Sequence, residues 1–451
     1  MKDTFKGYYQ PTPEEFTELW KNGIFVLDTS VILGLYRYPI KARNDLLQTL
    51  HQVSNRIWIP HQVALEYQEN RLNVIAEQVN KFADVIKVVQ DAIDSITNRF
   101  NELQLKKRHS VINPENFLTK LTSLVDDFDR ELTLLSEQQS GIDDEDTIRV
   151  EVDELFRDKI GEPCSSDELI DLCKEGSNRY DKNRPPGYLD KDKTKQNEKD
   201  YFYNELVIQR EFGDLIIWHQ IIKEAKAQNT KNLILVTDDE KEDWWWIFKG
   251  KTIGPRPELV EEISDQAGVT LFYMYNTSRF LKYAREYLNA QVDSLSIDQV
   301  QDITQLKREE NKREALRTND ILFIDAVHQW LSTKEYPDST IKFGQSFPDF
   351  IVETRTGKIG FEVKPLYNPN LILKHLNNWL NQGLVGIKRR SLDRIVFVLV
   401  AKTQTDAEKV LSILRRRTMS NDMISFITGT ITRESELNEL PIFKPIKYKS
   451  E

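Results

Sequence analysis

The chain has 451 residues, of which 39% are hydrophobic and 30% are charged, and its formal net charge is −10. This length exceeds one ordinary hydrophobic core, so we expect two domains. The negative charge argues against a protein that coats nucleic acid, because counterion release needs a basic surface, but it does not exclude a nuclease whose acids bind metal ions. No apolar run could span a bilayer and no signal peptide is recognisable, so we expect a cytoplasmic protein with no membrane partner.

The first strong pattern is Ile-Phe-Val-Leu-Asp-Thr-Ser at residues 24–30, a short buried strand that ends at Asp28. Open α/β sheets bind their ligands at the carboxyl ends of strands, where Asp28 falls. A second short strand at residues 57–59 precedes a helix on which Val63, Glu66 and Tyr67 share one face. We therefore expect Glu66 to face the same edge of the sheet.

A large insertion follows, from about residue 76 to residue 200. Residues 76–151 are amphipathic and contain few glycines, which predicts a helical hairpin or a small bundle. Residues 161–200 are polar, and we interpret them as a functional or disordered loop.

Two further acids stand at comparable places in the last part of this domain. Asp214 shares a predicted helical face with the apolar residues Ile217 and Trp218, and a buried aspartate needs a partner such as a metal ion. The buried strand at residues 233–237 ends in Asp238 and Asp239, which repeats the arrangement at Asp28. A strand at residues 270–275 and a helix at 279–288 complete the domain, which we place at residues 1–290.

The proposed site combines four acids: Asp28, Glu66, Asp214 and Asp238. Asp239 is a possible substitute or helper. Clustered carboxylates stay ionised when Mg²⁺ or Mn²⁺ sits between them, and two such ions roughly 4 Å apart can activate water and stabilise a leaving oxygen. The alternative is structural: Asp214 would cap a helix, Glu66 would be solvated and Asp238 would begin a turn.

These residues resemble PIN-domain ribonucleases, and the match is carried by four segments. They read Phe-Val-Leu-Asp-Thr-Ser at 25–30, Trp-Ile-Pro-His-Gln-Val-Ala-Leu-Glu at 58–66, Gly-Asp at 213–214 and Val-Thr-Asp-Asp at 236–239. The Lys-Glu-Asp-Trp-Trp-Trp segment at 241–246 is similar to a PIN-like subgroup of larger bacterial proteins. The resemblance implies a parallel sheet flanked by helices, metal ligation by the four acids, and a Ser30 that orients the first acid or its water.

A second acidic pattern occurs after a charged helical linker at residues 291–318, in a domain that we place at 319–451. Glu362 and Lys364 are two apart on a predicted strand and so point to one face. A hairpin turning at Thr356 and Gly357 would pair Thr354 with Ile359 and Asp349 with Lys364, which adds Asp349 to that face. A surface salt bridge is the alternative.

The order Pro-Asp, hairpin, Glu-x-Lys and helix resembles the PD-(D/E)XK nuclease superfamily, over roughly residues 320–402. The resemblance implies a C-terminal α/β domain of the restriction-endonuclease type, with Asp349 and Glu362 as metal ligands and Lys364 as a third catalytic residue. The superfamily often has an acid on the preceding helix, for which Glu314 and Asp325 are both candidates.

The sequence thus predicts two metal-dependent endonucleases in one chain, the first acting on RNA and the second on DNA, with phage defence or toxin action as the context. The alternative is a nucleic-acid-binding or sensor subunit whose sites stay inactive until a protein partner binds, and a homo-oligomer is also possible. For Trp244, Trp245 and Trp246 two interpretations stand: stacking on bases, or a partly buried cluster that braces the Asp238 loop.

Overall fold

The computed structural model describes residues 1–2, 4–104, 112–137, 141, 144–191, 200–344, 347–366, 368–415, 423–432 and 442–446. For residues 137 and 311–321 only the backbone is described. The chain divides into two compact units, Met1–Leu306 and Lys307–Glu451. In the described part of the chain, every helix is too short or too polar to cross a membrane.

The described residues of the first unit form the strands β1 (Ile24–Leu27), β2 (Ile57–Trp58), β3 (Tyr201–Tyr203), β4 (Leu206–Ile208), β5 (Asn232–Val236), β6 (Trp245–Phe248), β7 (Lys251–Pro255) and β8 (Leu271–Tyr275). Four of them make a parallel sheet in the order β2-β1-β5-β8. Two antiparallel hairpins, β3 with β4 and β6 with β7, are separate from this sheet.

Helices surround the sheet and build the insertion. They are α1 (Pro13–Asn22), α2 (Thr29–Gly34), α3 (Ile40–Gln52), α4 (His61–Glu102), α5 (Glu115–Glu137), α6 (Thr147–Leu155), α7 (Ser166–Asp181), α8 (Gly213–Ala227), α9 (Pro257–Ala267), α10 (Thr277–Tyr287) and α11 (Ser294–Trp330). The predicted hairpin consists of α4, one continuous helix of 42 residues, and α5, which packs against it.

The parallel sheet aligns the ends of its central strands. Leu27 of β1 is level with Val236 of β5, and the Asp28 amide donates a hydrogen bond to the Val236 carbonyl oxygen at 2.9 Å. The residues that follow both strands therefore lie side by side at the carboxyl edge. This parallel sheet was predicted from the apolar runs that end in aspartate, and the structure confirms it.

The prediction that residues 161–200 form a loop is wrong for most of the described residues. Ser165 caps α7 through a reciprocal pair of hydrogen bonds with Glu168. The helix buries Leu169 and Leu172 in a small core that is separate from the core around the parallel sheet. This core also includes Ile208 of β4. The capping box and the three-residue apolar spacing are helix signals that the polar composition obscured. Residues 192–199 lie outside the described part of the chain.

A buried ion pair joins α7, α8 and α9. The Arg179 guanidinium donates to both carboxylate oxygens of Glu262, at 2.7 and 2.8 Å, and the Trp218 indole donates to Glu262 at 2.9 Å. Both charged side chains are about 95% buried. Although burial opposes the shift, the Arg179 guanidinium lowers the pKa of Glu262. The pair anchors the insertion to the helices that flank the sheet.

The second unit contains a six-stranded mixed sheet in the order β14-β13-β12-β11-β10-β9. Its strands are β9 (Thr340–Phe343), β10 (Phe350–Thr354), β11 (Gly357–Leu366), β12 (Arg394–Ala401), β13 (Ile424–Thr432) and β14 (Ile442–Pro445). Two helices, α12 (Ile372–Arg390) and α13 (Gln404–Arg415), connect the parallel strands β11, β12 and β13. They pack on one face of the sheet, and the C-terminal part of α11 packs on the other.

The predicted register of the β10–β11 hairpin is wrong by two residues. Thr354 pairs with Gly357, and Phe350 pairs with Phe361, which makes Asp349 level with Glu362. Gly357 adopts φ +147° inside the ladder, so the turn contains only Arg355 and Thr356. Because side chains alternate with a period of two, this even shift leaves every residue on its predicted face.

Replacement of Glu262 by glutamine tests the buried ion pair. We expect Glu262→Gln to lower the free energy of unfolding by about 3–5 kcal/mol, because it leaves the Arg179 charge buried without its partner. Chemical denaturation followed by tryptophan fluorescence measures the change. Glu175→Gln is the control, since Glu175 pairs with the same guanidinium but is 52% exposed, and we expect at most about 0.5 kcal/mol from it. Equal losses in the two variants would contradict this account.

Candidate active site

Asp28 follows β1 and begins α2. One carboxylate oxygen accepts a hydrogen bond from the Thr29 amide at 2.8 Å, and the other accepts from the hydroxyls of Ser30 and Thr237 at 2.6 and 2.7 Å. Burial raises the pKa of Asp28, and the nearby Asp214 carboxylate adds to the rise. Ser30 thus orients the first acid, as the family resemblance implies.

Glu66 lies on the second turn of α4 and reaches the residue next to Asp28. Its carboxylate accepts hydrogen bonds from the Thr29 hydroxyl at 3.0 Å and from the side-chain amide of Gln62 at 2.9 Å. Burial raises the pKa of Glu66 to about 7, with contributions from Asp28 and Asp214. Gly213 makes room for this side chain, because a Cβ there would stand 2.9 Å from a Glu66 carboxylate oxygen.

Asp214 follows Gly213 in the first turn of α8. Its carboxylate accepts a hydrogen bond from the Trp244 indole at 3.2 Å and lies 3.7 Å from the Lys241 ammonium. Its charge raises the pKa of both Asp28 and Glu66. The structure therefore brings these three predicted residues together at one edge of the sheet.

The two aspartates after β5 have different surroundings. Asp238 accepts from the Thr277 amide and hydroxyl, both at 2.8 Å, and from the Tyr38 hydroxyl at 2.9 Å. Asp239 instead lies 2.9 Å from the Lys241 ammonium, which also contacts Asp214. The Asp238 carboxylate therefore binds α10 and Tyr38, whereas Asp239 shares its cation with Asp214.

Three charged residues beside these acids were not among the predicted site residues: Lys241, Asp190 and Asp243. Lys241 pairs with Asp190 as well as with Asp239, and Asp243 accepts hydrogen bonds from the Gly187 and Leu189 amides at 3.1 and 3.3 Å. Asp243 is fully buried. The available signal for Lys241 and Asp243 was the Lys-Glu-Asp-Trp-Trp-Trp segment at 241–246, which carries part of the family resemblance and follows the Asp238–Asp239 pair.

The tryptophans brace the segment that follows β5. Trp244 and Trp245 are 4% and 3% exposed, and the Trp245 indole donates to the Asp239 carbonyl oxygen at 2.6 Å. Trp246 contacts Tyr8 edge to face. With two of the three rings buried, this geometry favours the bracing interpretation over stacking on bases.

The residues at this edge fit a divalent cation in type and charge. Among the residues that the structure describes, no group of three or more His, Cys, Asp or Glu side chains is close enough to hold a metal ion. The donors are nevertheless carboxylate oxygens, which Mg²⁺ and Mn²⁺ prefer, and one ammonium group already bridges Asp214 and Asp239. The acids thus attract a cation, and Lys241 supplies one.

The predicted residues of the second unit also come together. Glu362 accepts from the Asp349 amide at 3.0 Å and from the Lys364 ammonium at 2.6 Å, and the Val363 amide donates to Asp349 at 2.7 Å. Burial raises the pKa of Glu362 to about 7, and the Asp349 carboxylate adds to the rise. Phe361 and Val363 enter the core on the α11 side, so Glu362 and Lys364 face α12.

The candidates for the upstream acid stay open. Asp325 is exposed on α11, and the side chain of Glu314 lies outside the described residues.

Comparison with known proteins supports the first site. A family model described as a PIN like domain matches residues 24–259, which is more than half of the chain. The match contains Asp28, Glu66, Asp214 and both Asp238 and Asp239. Neither the curated proteins nor the solved structures compared with this chain include a match.

Replacement of Asp243 tests the electrostatics of the buried acids. Burial and the Asp214 charge raise the pKa of Asp243 to about 7. A raised carboxyl pKa stabilises the fold at low pH, and this contribution is lost as the pH rises through about 7. We expect the metal-free wild type to lose stability relative to Asp243→Asn between about pH 4 and 7, by up to about 1.4 kcal/mol per pH unit.

Denaturation in EDTA at several pH values measures this difference. Asp265→Asn, at an exposed aspartate on α9, is the control and should keep the wild-type pH dependence. A wild type and an Asp243→Asn variant with parallel profiles would refute the prediction.

Proposed function

This chain belongs to the PIN-like domain family, and we propose from this membership that its first unit is a Mg²⁺- or Mn²⁺-dependent endoribonuclease. PIN-like domains are generally metal-dependent nucleases, so nucleic acid is the implied substrate. The finer assignment to RNA rests on the resemblance to PIN-domain ribonucleases. The observation that carries the proposal is the approach of Asp28, Glu66 and Asp214 at the carboxyl edge of the parallel sheet, where the Glu66 carboxylate contacts the residue after Asp28 and packs against the residue before Asp214.

The proposed metal ligands are Asp28, Glu66 and Asp214 together with a fourth acid, either Asp238, as predicted from the sequence, or Asp239, which shares the Lys241 ammonium with Asp214. A bound Mg²⁺ or Mn²⁺ would supply charge stabilisation for the phosphodiester and an activated water. The hydroxyls of Thr29, Ser30 and Thr237 hold the carboxylates of Asp28 and Glu66 in place. This support fixes the acids before substrate binds.

The second unit is proposed as a further metal-dependent nuclease, with DNA as its substrate. Support comes from the contacts among Asp349, Glu362 and Lys364 on one face of β11. In this arrangement two acids would hold the metal, and the Lys364 ammonium would stabilise the charge that develops on the phosphate. Phage defence or toxin action is the proposed context for two such activities in one chain.

The first activity is tested with labelled RNA and the purified full-length chain in Mn²⁺. We expect Asp28→Asn to reduce cleavage by at least about 100-fold, because the loss of a metal ligand removes several kcal/mol of transition-state stabilisation. Asp239→Asn and Asp238→Asn, assayed in parallel, identify the fourth ligand, and we expect the larger loss from Asp239→Asn. Asp265→Asn should cleave like the wild type. Undiminished cleavage by Asp28→Asn would refute the assignment.

The second activity is tested with labelled DNA under the same conditions. We expect Glu362→Gln to abolish Mn²⁺-dependent DNA cleavage and to leave RNA cleavage unchanged, because the two clusters belong to separate units. Glu353→Gln is the control, since Glu353 pairs with Lys342 of β9 and Lys358 of β11 and is not part of the cluster. DNA cleavage that persists in Glu362→Gln would exclude this site as its source.

A further inference from the structure

The Lys241 ammonium lies among carboxylates that belong to two different groups. Two of them, Asp239 at 2.9 Å and Asp214 at 3.7 Å, stand at the proposed metal site. The third, Asp190, is contacted through both carboxylate oxygens at 2.9 Å and lies outside the proposed ligand set. Lys241 thus bridges the metal site and a neighbouring acid.

The position of Asp190 is fixed by a tightly packed turn. It ends a short 3₁₀ helix, Tyr188–Asp190, and its side chain is 8% exposed. Gly187 begins this turn with φ +85° and packs so closely that a Cβ there would stand 3.0 Å from the Asp214 Cβ. The turn that carries Asp190 therefore packs against Asp214, one of the proposed metal ligands.

Asp243 also stabilises this turn, through hydrogen bonds to its backbone. One of its carboxylate oxygens accepts hydrogen bonds from the backbone amides of Gly187 and Leu189, and the other is buried and has no hydrogen-bond partner among the residues that the structure describes. A fully buried acid with an unsatisfied oxygen is costly unless positive charge stands nearby. Lys241 is close enough for its charge to act on Asp243. Lys241 thus contacts three carboxylates, those of Asp190, Asp214 and Asp239, and its charge also acts on the Asp243 carboxylate.

We propose that Lys241 is a built-in counter-cation that competes with the divalent metal for Asp214 and Asp239, and that Asp190 retains the ammonium when the metal binds. Lys241 is then a positioning residue, which keeps the acids in place without metal and sets the metal concentration at which the site fills. The inference rests on the proposed metal-dependent function of this site.

The competition predicts opposite effects for the two members of the Lys241–Asp190 pair. Without the ammonium, Mn²⁺ does not have to displace a cation from Asp214 and Asp239, so its affinity should rise. Without the Asp190 charge, the ammonium is held by Asp214 and Asp239 at the metal site, so the affinity for Mn²⁺ should fall. Simple electrostatics also predicts these two directions, but in that case the effects of the two substitutions on Mn²⁺ affinity add. In the competition model Asp190 acts through Lys241, so Asp190→Asn has no effect once Lys241 is removed.

A double-mutant cycle separates these alternatives. Isothermal titration with Mn²⁺ is carried out on the full-length chain carrying Glu362→Gln, which removes the second cluster as a binding site. We expect Lys241→Met to lower the Mn²⁺ dissociation constant about tenfold and Asp190→Asn to raise it about tenfold, within the range usual for coupled sites. In the presence of Lys241→Met, Asp190→Asn should change affinity by less than about twofold.

The controls use matched lysine changes. Lys223→Met removes a comparable ion pair between α7 and α8, in which Lys223 lies 2.6 Å from Glu168, and should leave Mn²⁺ affinity unchanged. Lys241→Arg keeps the charge and should bind Mn²⁺ like the parent. If Lys241→Met unfolds in EDTA, saturating Mn²⁺ must restore its circular dichroism spectrum, because the metal replaces the missing cation.

Three results would overturn the inference. In the first, Lys241→Met and Lys223→Met bind Mn²⁺ with equal affinity. In the second, Asp190→Asn changes the Mn²⁺ affinity equally with and without Lys241, and in the third, Mn²⁺ does not refold Lys241→Met. Absence of Mn²⁺ binding in both the parent and Lys241→Met would instead refute the proposed metal-dependent function, and the inference with it. Binding by Lys241→Met alone would support the inference.

Discussion

The constraint on which the first unit depends is the repulsion among carboxylates gathered at one edge of a parallel sheet. Burial and mutual repulsion raise the pKa of Asp28 and Glu66, so each needs donors that compensate its charge. The chain supplies hydroxyls from Thr29, Ser30 and Thr237 to Asp28 and Glu66, and the Lys241 ammonium compensates Asp214 and Asp239. These contacts hold together the strands β1 and β5, the helices α4 and α8 and the segment after β5. The same charge compensation therefore stabilises both the fold and the site.

The two units solve the same problem in different ways. In the first, the compensating lysine comes from a segment that follows β5 and reaches acids on separate elements. In the second, Lys364 stands two residues from Glu362 on β11, and the Asp349 amide approaches Glu362 across the β10–β11 ladder. A local arrangement of this kind is visible as Glu-x-Lys in the sequence. The contacts of Lys241 with Asp190 and Asp214 join distant segments and are not visible in this way.

This difference explains how much could be predicted. Apolar runs that end in acids located β1, β5 and the edge where Asp28 lies, because strand burial and strand ends are local properties. The residues of the second cluster were placed on the correct face although the register was wrong, since turn length is not encoded in the alternation. Asp190 was missed because its partner Lys241 is 51 residues away and because residues 161–200, which include the 3₁₀ helix Tyr188–Asp190, were taken for a loop. Only the folded chain shows which of Asp238 and Asp239 meets Lys241.

The continuity of α4 constrains how this protein can change in length. The helix carries Glu66 on its second turn and extends to Glu102 in the insertion, so site and insertion share one rigid axis. A residue inserted before Glu66 would rotate its carboxylate by about 100° around that axis and remove it from Thr29. A residue added near the outer end would leave Glu66 where it is. The insertion is therefore attached at a position from which it can grow, shrink or acquire new surfaces without disturbing the acids.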